Sequence, residues 1–148
     1  MTSNRRPARQ VRQSLPEARP ELPAGWRARA FRRALARRCP QCGAGPLFRG
    51  FARLAPDCAG CGHAFRREAG AQTGSMYVSA AVTELFAAAV ALALFWCTDW
   101  EVSTGLLVGV PLVLGFCYAF LPVSMAFWVA VEYSTDVANG EAWARPRA

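Results

Sequence analysis

The sequence predicts a membrane α-helical hairpin of two transmembrane helices, preceded by a small cytoplasmic four-cysteine zinc ribbon. Only three residues between Tyr77 and Val131 are charged, which leaves two apolar runs that a soluble domain of 148 residues would not expose. Four of the six cysteines form two C-x2-C pairs, and 15 of the 17 arginines precede Tyr77. Together these observations exclude an ordinary soluble globular protein.

The start of the chain is rich in arginine and proline. Residues 1–24 contain four prolines and few apolar side chains, which predicts a disordered arm. Residues 1–38 hold 11 arginines and no apolar run, so we expect no cleaved secretory signal; a mitochondrial presequence is the alternative. Residues 25–38, GWRARAFRRALARR, predict either a basic amphipathic helix on an anionic membrane surface or a solvated linker.

Residues 39–66 carry the most specific pattern in the chain. Two C-x2-C pairs are separated by fifteen residues, the spacing of a four-thiolate zinc site, and the predicted ligands are Cys39, Cys42, Cys58 and Cys61. Gly43 and Gly62 follow the two pairs and allow sharp turns that bring both thiolates of a pair to one metal. We expect short antiparallel strands between the pairs, and we place His63 beside the site rather than among its ligands.

Other roles for these cysteines fit the pattern less well. Two disulfides would require an oxidising compartment, against the cytoplasmic placement below. Thiol redox chemistry would be blocked if both pairs ligate a metal. An iron site with the same four sulfurs stays open as an alternative to zinc, because spacing does not distinguish the two metals. Cys97 and Cys117 lie in the apolar runs and are expected to be apolar filler.

The apolar runs predict transmembrane helices at residues 76–97 and 104–131. The second run is longer than a span needs, and Pro122 within it should bend the helix. The short connection makes the pair a hairpin. Arginines precede the first helix, and Arg145 and Arg147 lie in the tail of residues 132–148, so the positive-inside rule places both termini in the cytoplasm.

Glu84 is the one ionisable residue well inside a predicted span. A carboxyl group there is costly unless it faces protein or water, so we expect it to hydrogen-bond Ser124 or the Tyr118 carbonyl that Pro122 leaves unpaired. Counting inward from both span ends places Glu84 and Ser124 at one depth. Alanines beside Glu84 would let another helix approach closely. A structural hydrogen bond is the preferred role, and a proton or ligand site is the alternative.

The string CPQCGAGPLFRGFARLAPDCAGCGHAFRREAG, followed by TGSMYVSAA and two apolar spans, resembles the bacterial zinc-ribbon membrane proteins grouped as domain of unknown function 983. The resemblance covers about residues 38–136, and its most specific parts are the LFRGF stretch and the TGSMYVS junction. It implies a small inner-membrane protein with no established activity. Genes of such families lie near those for terminal oxidase assembly in some bacteria, which implies an accessory role in assembling a membrane complex.

No nucleophile with a base, phosphate-binding loop or pair of carboxylates occurs at working spacing, so we expect a protein that is not an enzyme. The favoured hypothesis is a zinc ribbon that acts as an interaction module at the membrane. The alternative is a membrane-tethered ribbon that binds nucleic acid, although topology and anionic lipid already explain the arginines beside the first span. The expected partners are the lipid bilayer, anionic lipid headgroups, an unidentified protein and, as a further candidate, a second copy of the chain.

Overall fold

Three α-helices form the frame of the protein. The computed structural model describes residues 22–66, 70 and 72–145, in which α1 spans Trp26–Leu35, α2 spans Thr73–Cys97 and α3 spans Val102–Asn139. The ribbon lies between α1 and α2 in the chain. Most of the predicted disordered arm, together with Arg67 and Arg147, lies outside the described residues.

The helices α2 and α3 form the predicted hairpin, and each is long and apolar enough to cross a membrane. They run antiparallel, with Gly74 facing Trp128 at one end and Phe86 stacked on Phe116 near the middle, where the ring centroids are 4.0 Å apart. Residues 98–101 connect the two helices. We call the end with this connection the loop side of the hairpin and the opposite end the ribbon side.

The helix α3 continues beyond the predicted span, through residues 132–139 of the predicted tail. Tyr133 and Val137 lie one turn apart and are buried in a cluster with Ala30 of α1, so packing on α1 favours the helix in this polar stretch. Gly140 ends α3 in the left-handed conformation, with a φ of 77°, while the next amide donates to a helix carbonyl. Pro122 lies inside α3 without ending it.

The helix α1 is amphipathic, with Ala30 and Ala34 buried and arginines such as Arg27 and Arg32 exposed. Its apolar side packs on α3 in an antiparallel direction. The Trp26 ring meets Tyr133 edge-on with centroids 6.5 Å apart, and Phe31 meets Phe127 at 5.5 Å. Residues 25–38 therefore contain the basic amphipathic helix that was one of the two interpretations above, and part of its apolar side packs on α3.

Candidate metal centre

The two cysteine pairs fold into knuckles of the same local geometry. Gly43 and Gly62 both adopt a left-handed φ of 72°, as the turn requires. In each knuckle the glycine amide donates to the carbonyl of the first cysteine of its pair, Cys39 or Cys58, at 2.8 Å. The sequence CxxCG therefore closes the same hydrogen-bonded turn twice, and the turns point both thiols of each pair inward.

The short antiparallel strands expected between the pairs are reduced to single bridges. Within residues 22–66 the ribbon contains isolated antiparallel bridges and no continuous strand; the bridged pairs are Arg38 with Pro46, Phe48 with Leu54, and Asp57 with Ala64. Pro46 and Pro56 have no amide hydrogen and cannot extend a ladder of hydrogen bonds.

The four sulfur atoms form one compact group. The Sγ atoms all lie within 4.8 Å of one another, with 3.7 Å between Cys39 and Cys61 and 3.6 Å between Cys42 and Cys58. A tetrahedral site with metal–sulfur bonds of about 2.3 Å has sulfur atoms about 3.8 Å apart, so the observed spacing fits one metal ion. All four cysteines are free thiols, so the two-disulfide alternative is not formed.

The site is largely closed to solvent. Cys39 and Cys58 are 0% and 1% exposed, whereas Cys42 and Cys61 are half-buried. Burial raises the pKa of the Cys39 and Cys61 thiols above the usual value. A bound cation counteracts this effect by stabilising the thiolate form of every ligand.

Cys42 differs from the other ligands. Burial acts to raise its pKa, but hydrogen bonds from the backbone amides of Gly45 and Ala44, together with neighbouring thiols, lower the pKa of Cys42 to about 6. A second backbone contact helps the other pair, since the Gly60 amide donates to the Cys58 sulfur at 3.4 Å. Backbone donors therefore reach the half-buried edge of the site as well as its buried part.

Gly45 is a functional position that the sequence analysis missed. A Cβ atom at Gly45 would lie 2.5 Å from the Cys58 sulfur, too close for any side chain. The Gly45 carbonyl also accepts a hydrogen bond from the Cys39 amide at 2.9 Å. The sequence did offer one signal: Gly45 follows Cys42 by three residues and is a second glycine after the pair, in addition to the knuckle glycine Gly43.

The ribbon is packed directly on α3. Its apolar core continues into that helix, and the shared cluster includes Leu47, Phe48, Leu54, Phe65, Ala126 and Val129. His63 is buried outside the four-sulfur group, and its ring meets Tyr133 edge-on with centroids 5.4 Å apart. The segment after α3 returns to the first knuckle, where the Arg145 amide donates to Gln41 Oε1 at 3.3 Å. The metal centre is thus built into one body with the ribbon side of the hairpin.

The structure does not bring Glu84 and Ser124 together. The stacked Phe86 and Phe116 fix the register, and Glu84, two residues before Phe86, lies level with Tyr118, two residues after Phe116. Ser124 is six residues further along α3, about 9 Å toward the ribbon side. Counting inward from residues 76 and 131 failed because those positions are not level, since this register places Met76 level with Ala126.

The surroundings of the two residues differ as well. Ser124 is 0% exposed, and its hydroxyl donates to the Leu121 carbonyl at 2.9 Å, a local bond typical of serine in a helix. Glu84 is exposed on the face of α2 directed away from α3. In the described part of the chain Glu84 makes no hydrogen bond to Ser124 or to Tyr118. The expected interhelical hydrogen bond is therefore corrected to a local one at Ser124 and an outward-facing Glu84.

Comparison with known proteins identifies the family and nothing more specific. No match was found among the curated proteins, and none among the solved structures. The profile of one protein family matches residues 48–133, which is more than half of the chain. The matched region begins in the ribbon after the first knuckle and ends at Tyr133, where α3 contacts His63. The chain therefore belongs to the family described as "Protein of unknown function (DUF983)".

Proposed function

We propose that the protein is a non-enzymatic inner-membrane protein whose ribbon binds zinc and acts as an interaction module for a protein partner. The closed group of four thiols carries this proposal. Four sulfur ligands complete a tetrahedral zinc site, so no coordination position is left for a substrate or water. We favour zinc over iron because two C-x2-C knuckles that supply four thiolates are typical of structural zinc sites.

A metal-held module suits docking because its surface is rigid. Fewer than about 40 residues do not form an independent core, so the metal supplies much of the stability of the ribbon. One side of the ribbon is used for packing on α3, while Ala44 and Ala59 near the two knuckles are exposed. The proposed partner contacts these knuckles, and the hairpin keeps the module at the membrane. The family resemblance favours a partner in assembly of a membrane complex such as a terminal oxidase.

We place both termini and the ribbon in the cytoplasm. Arginines are concentrated on the ribbon side, whereas residues 98–101 contain only acidic charges, Asp99 and Glu101. A reducing compartment also keeps the four ligands as thiols. A reporter active only outside the cytoplasm should be active when inserted after Trp100 and silent when fused after Ala148. The reverse pattern would contradict the orientation.

The interaction role is tested by purification from native membranes. The intact protein and a Cys97→Ser, Cys117→Ser control should each retain one zinc per chain and the same protein partner. A Cys39→Ser, Cys61→Ser variant should lose both, because it removes two ligands while changing the same number of cysteines. Retention of the partner by a zinc-free variant would contradict the proposal, and recovery of nucleic acid in place of a protein would favour the nucleic-acid alternative.

A further inference from the structure

The tip loop of the ribbon, residues 49–53, lies beside the membrane-crossing helices rather than beyond their ends. Phe51 at its apex stacks on Tyr118 of α3, with ring centroids 4.5 Å apart and planes 12° apart. Tyr118 is ten residues from Trp128, which faces the start of α2 at Gly74. The tip loop therefore reaches about 15 Å along the hairpin toward the loop side.

The tip loop shares its level with Glu84. The register of the hairpin places Glu84 level with Tyr118, and both side chains are exposed. Exposed apolar side chains lie on both sides of this level, such as Leu85 and Leu114 toward the loop side and Met76 and Leu121 toward the ribbon side. Glu84 and the tip-loop arginines are exposed charges at this level, and exposed charges beside a membrane span are expected at the depth of the lipid headgroups.

Arg37, two residues after α1, makes hydrogen bonds to the backbone of the tip loop. The Arg37 guanidinium donates to the Gly50 carbonyl at 3.2 Å and also to the Phe51 carbonyl, and it lies 5.0 Å from the centre of the Phe48 ring. The apex carbonyls are thus satisfied within the protein, which lowers the cost of moving this backbone out of bulk water. Arg49 and Arg53 flank the apex and are exposed.

We propose that the tip loop inserts into the bilayer leaflet on the ribbon side, with Phe51 and Tyr118 at the boundary between headgroups and acyl chains and Arg49 and Arg53 on the phosphates of anionic phospholipids. Phe51 is 44% and Tyr118 65% exposed, so the stack leaves apolar ring surface for lipid to cover. Positive side chains near an anionic surface are attracted to it. This inference depends on the hairpin crossing a bilayer and is independent of the protein partner proposed above.

Insertion at this level also explains why the Glu84 carboxylate can face outward from the hairpin. At the headgroup level a carboxylate stays hydrated, so Glu84 needs no partner helix or interhelical hydrogen bond. The hydrocarbon boundary then lies eight residues further along α2 than Met76, the start of the span expected from the sequence. From Val102 to Tyr118 the crossing segment is about 24 Å long, short of a typical core of roughly 30 Å, and local thinning of the bilayer accommodates the difference.

Photo-crosslinking of the full chain tests the insertion directly. p-Benzoylphenylalanine replaces Phe51, and in a matched control it replaces Ala59, which is exposed at the second knuckle. Each zinc-loaded protein is illuminated in vesicles of equimolar phosphatidylglycerol and phosphatidylcholine, and lipid adducts are counted by mass spectrometry. Position 51 should give several-fold more adducts than position 59, with phosphatidylglycerol enriched among them. Equal yields at the two positions would overturn the proposal, and so would adducts to protein in place of lipid.

Charge removal separates anionic recognition from simple insertion. With the photo-reactive residue at position 51, the change Arg49→Gln, Arg53→Gln should lower the phosphatidylglycerol enrichment by roughly tenfold, since each arginine near the surface contributes to the attraction. The variant Arg27→Gln, Arg66→Gln removes the same charge from exposed positions outside the tip loop and should keep the enrichment. Zinc content checks that each variant is folded. Enrichment that survives the loss of Arg49 and Arg53 would overturn their assignment to lipid phosphates.

Discussion

Single residues decide whether the ribbon can close around a metal ion. The knuckle glycines supply the left-handed turns, whereas Gly45 supplies space, because its backbone lies where a Cβ atom would meet the Cys58 sulfur. The left-handed turn at a knuckle glycine and the free space at Gly45 are separate physical requirements. A substitution at Gly45 therefore tests the packing of the site without altering any ligand.

The change Gly45→Ala should weaken the ribbon by about 1–3 kcal/mol, the usual cost of forcing an extra methyl group into a packed site. We expect zinc to be lost at lower chelator concentration, measured by competition with a metal indicator. Gly50→Ala is the matched control, since a Cβ atom there would lie 3.8 Å from the nearest atom, the Arg53 Cβ. Equal zinc retention in both variants would contradict the close approach at Gly45.

Acid should release the metal, because protons and the metal compete for the same thiolates. Burial raises the pKa of Cys39 and Cys61, so in the metal-free protein these thiols hold their protons and must give them up when the ion binds. The apparent zinc affinity should therefore fall steadily as the pH is lowered below neutral, in a titration monitored by a zinc indicator. An affinity independent of pH between 5 and 7 would contradict ligation by thiolates.

At the scale of the elements, α3 organises the molecule. One stretch of it receives α2 at Trp128, the ribbon at Ala126 and Val129, and α1 at Tyr133. Its contact with α2 is close at Gly74, where a Cβ atom would lie 2.1 Å from the Trp128 ring. The indole nitrogen of Trp128 also donates to Glu132 at 2.8 Å, which holds the ring in place.

The change Gly74→Ala should destabilise the hairpin by about 1–3 kcal/mol, because neither the α2 backbone nor the held indole ring can yield freely. Unfolding in detergent, followed by tryptophan fluorescence, would measure the difference. Gly105→Ala is the control, since Gly105 is also helical and nothing lies within 4 Å of its Cβ position. The control should be neutral or slightly stabilising through better helix propensity. Equal destabilisation by both changes would indicate a general effect of alanine rather than the Trp128 contact.

At the scale of the whole molecule, local patterns predicted the parts, and long-range packing decided their arrangement. The cysteine spacing and the two apolar runs are local signals, and the four-sulfur group and the hairpin follow from them. The docking of α1 and the extension of α3 depend on contacts between Trp26 and Tyr133, far apart in the chain. Residues 132–139 are polar enough to resemble a tail, and the spacing of Tyr133 and Val137 was the only local sign of a helix face. The level of Glu84 required the register of the helices, which counting from span ends does not supply.

We propose that a metal ion bound by the four cysteines holds the ribbon folded and thereby also stabilises α1 and the ribbon side of α3, which pack together with it. Hydrogen exchange of the full chain in lipid nanodiscs, with zinc bound and after chelation, tests it most directly. Chelation should speed exchange both in the ribbon and in residues 129–137 of α3, which pack against it, while residues 106–114 stay protected by the bilayer. Adding zinc back should restore protection. Faster exchange confined to the ribbon, with residues 129–137 unchanged, would contradict the claim.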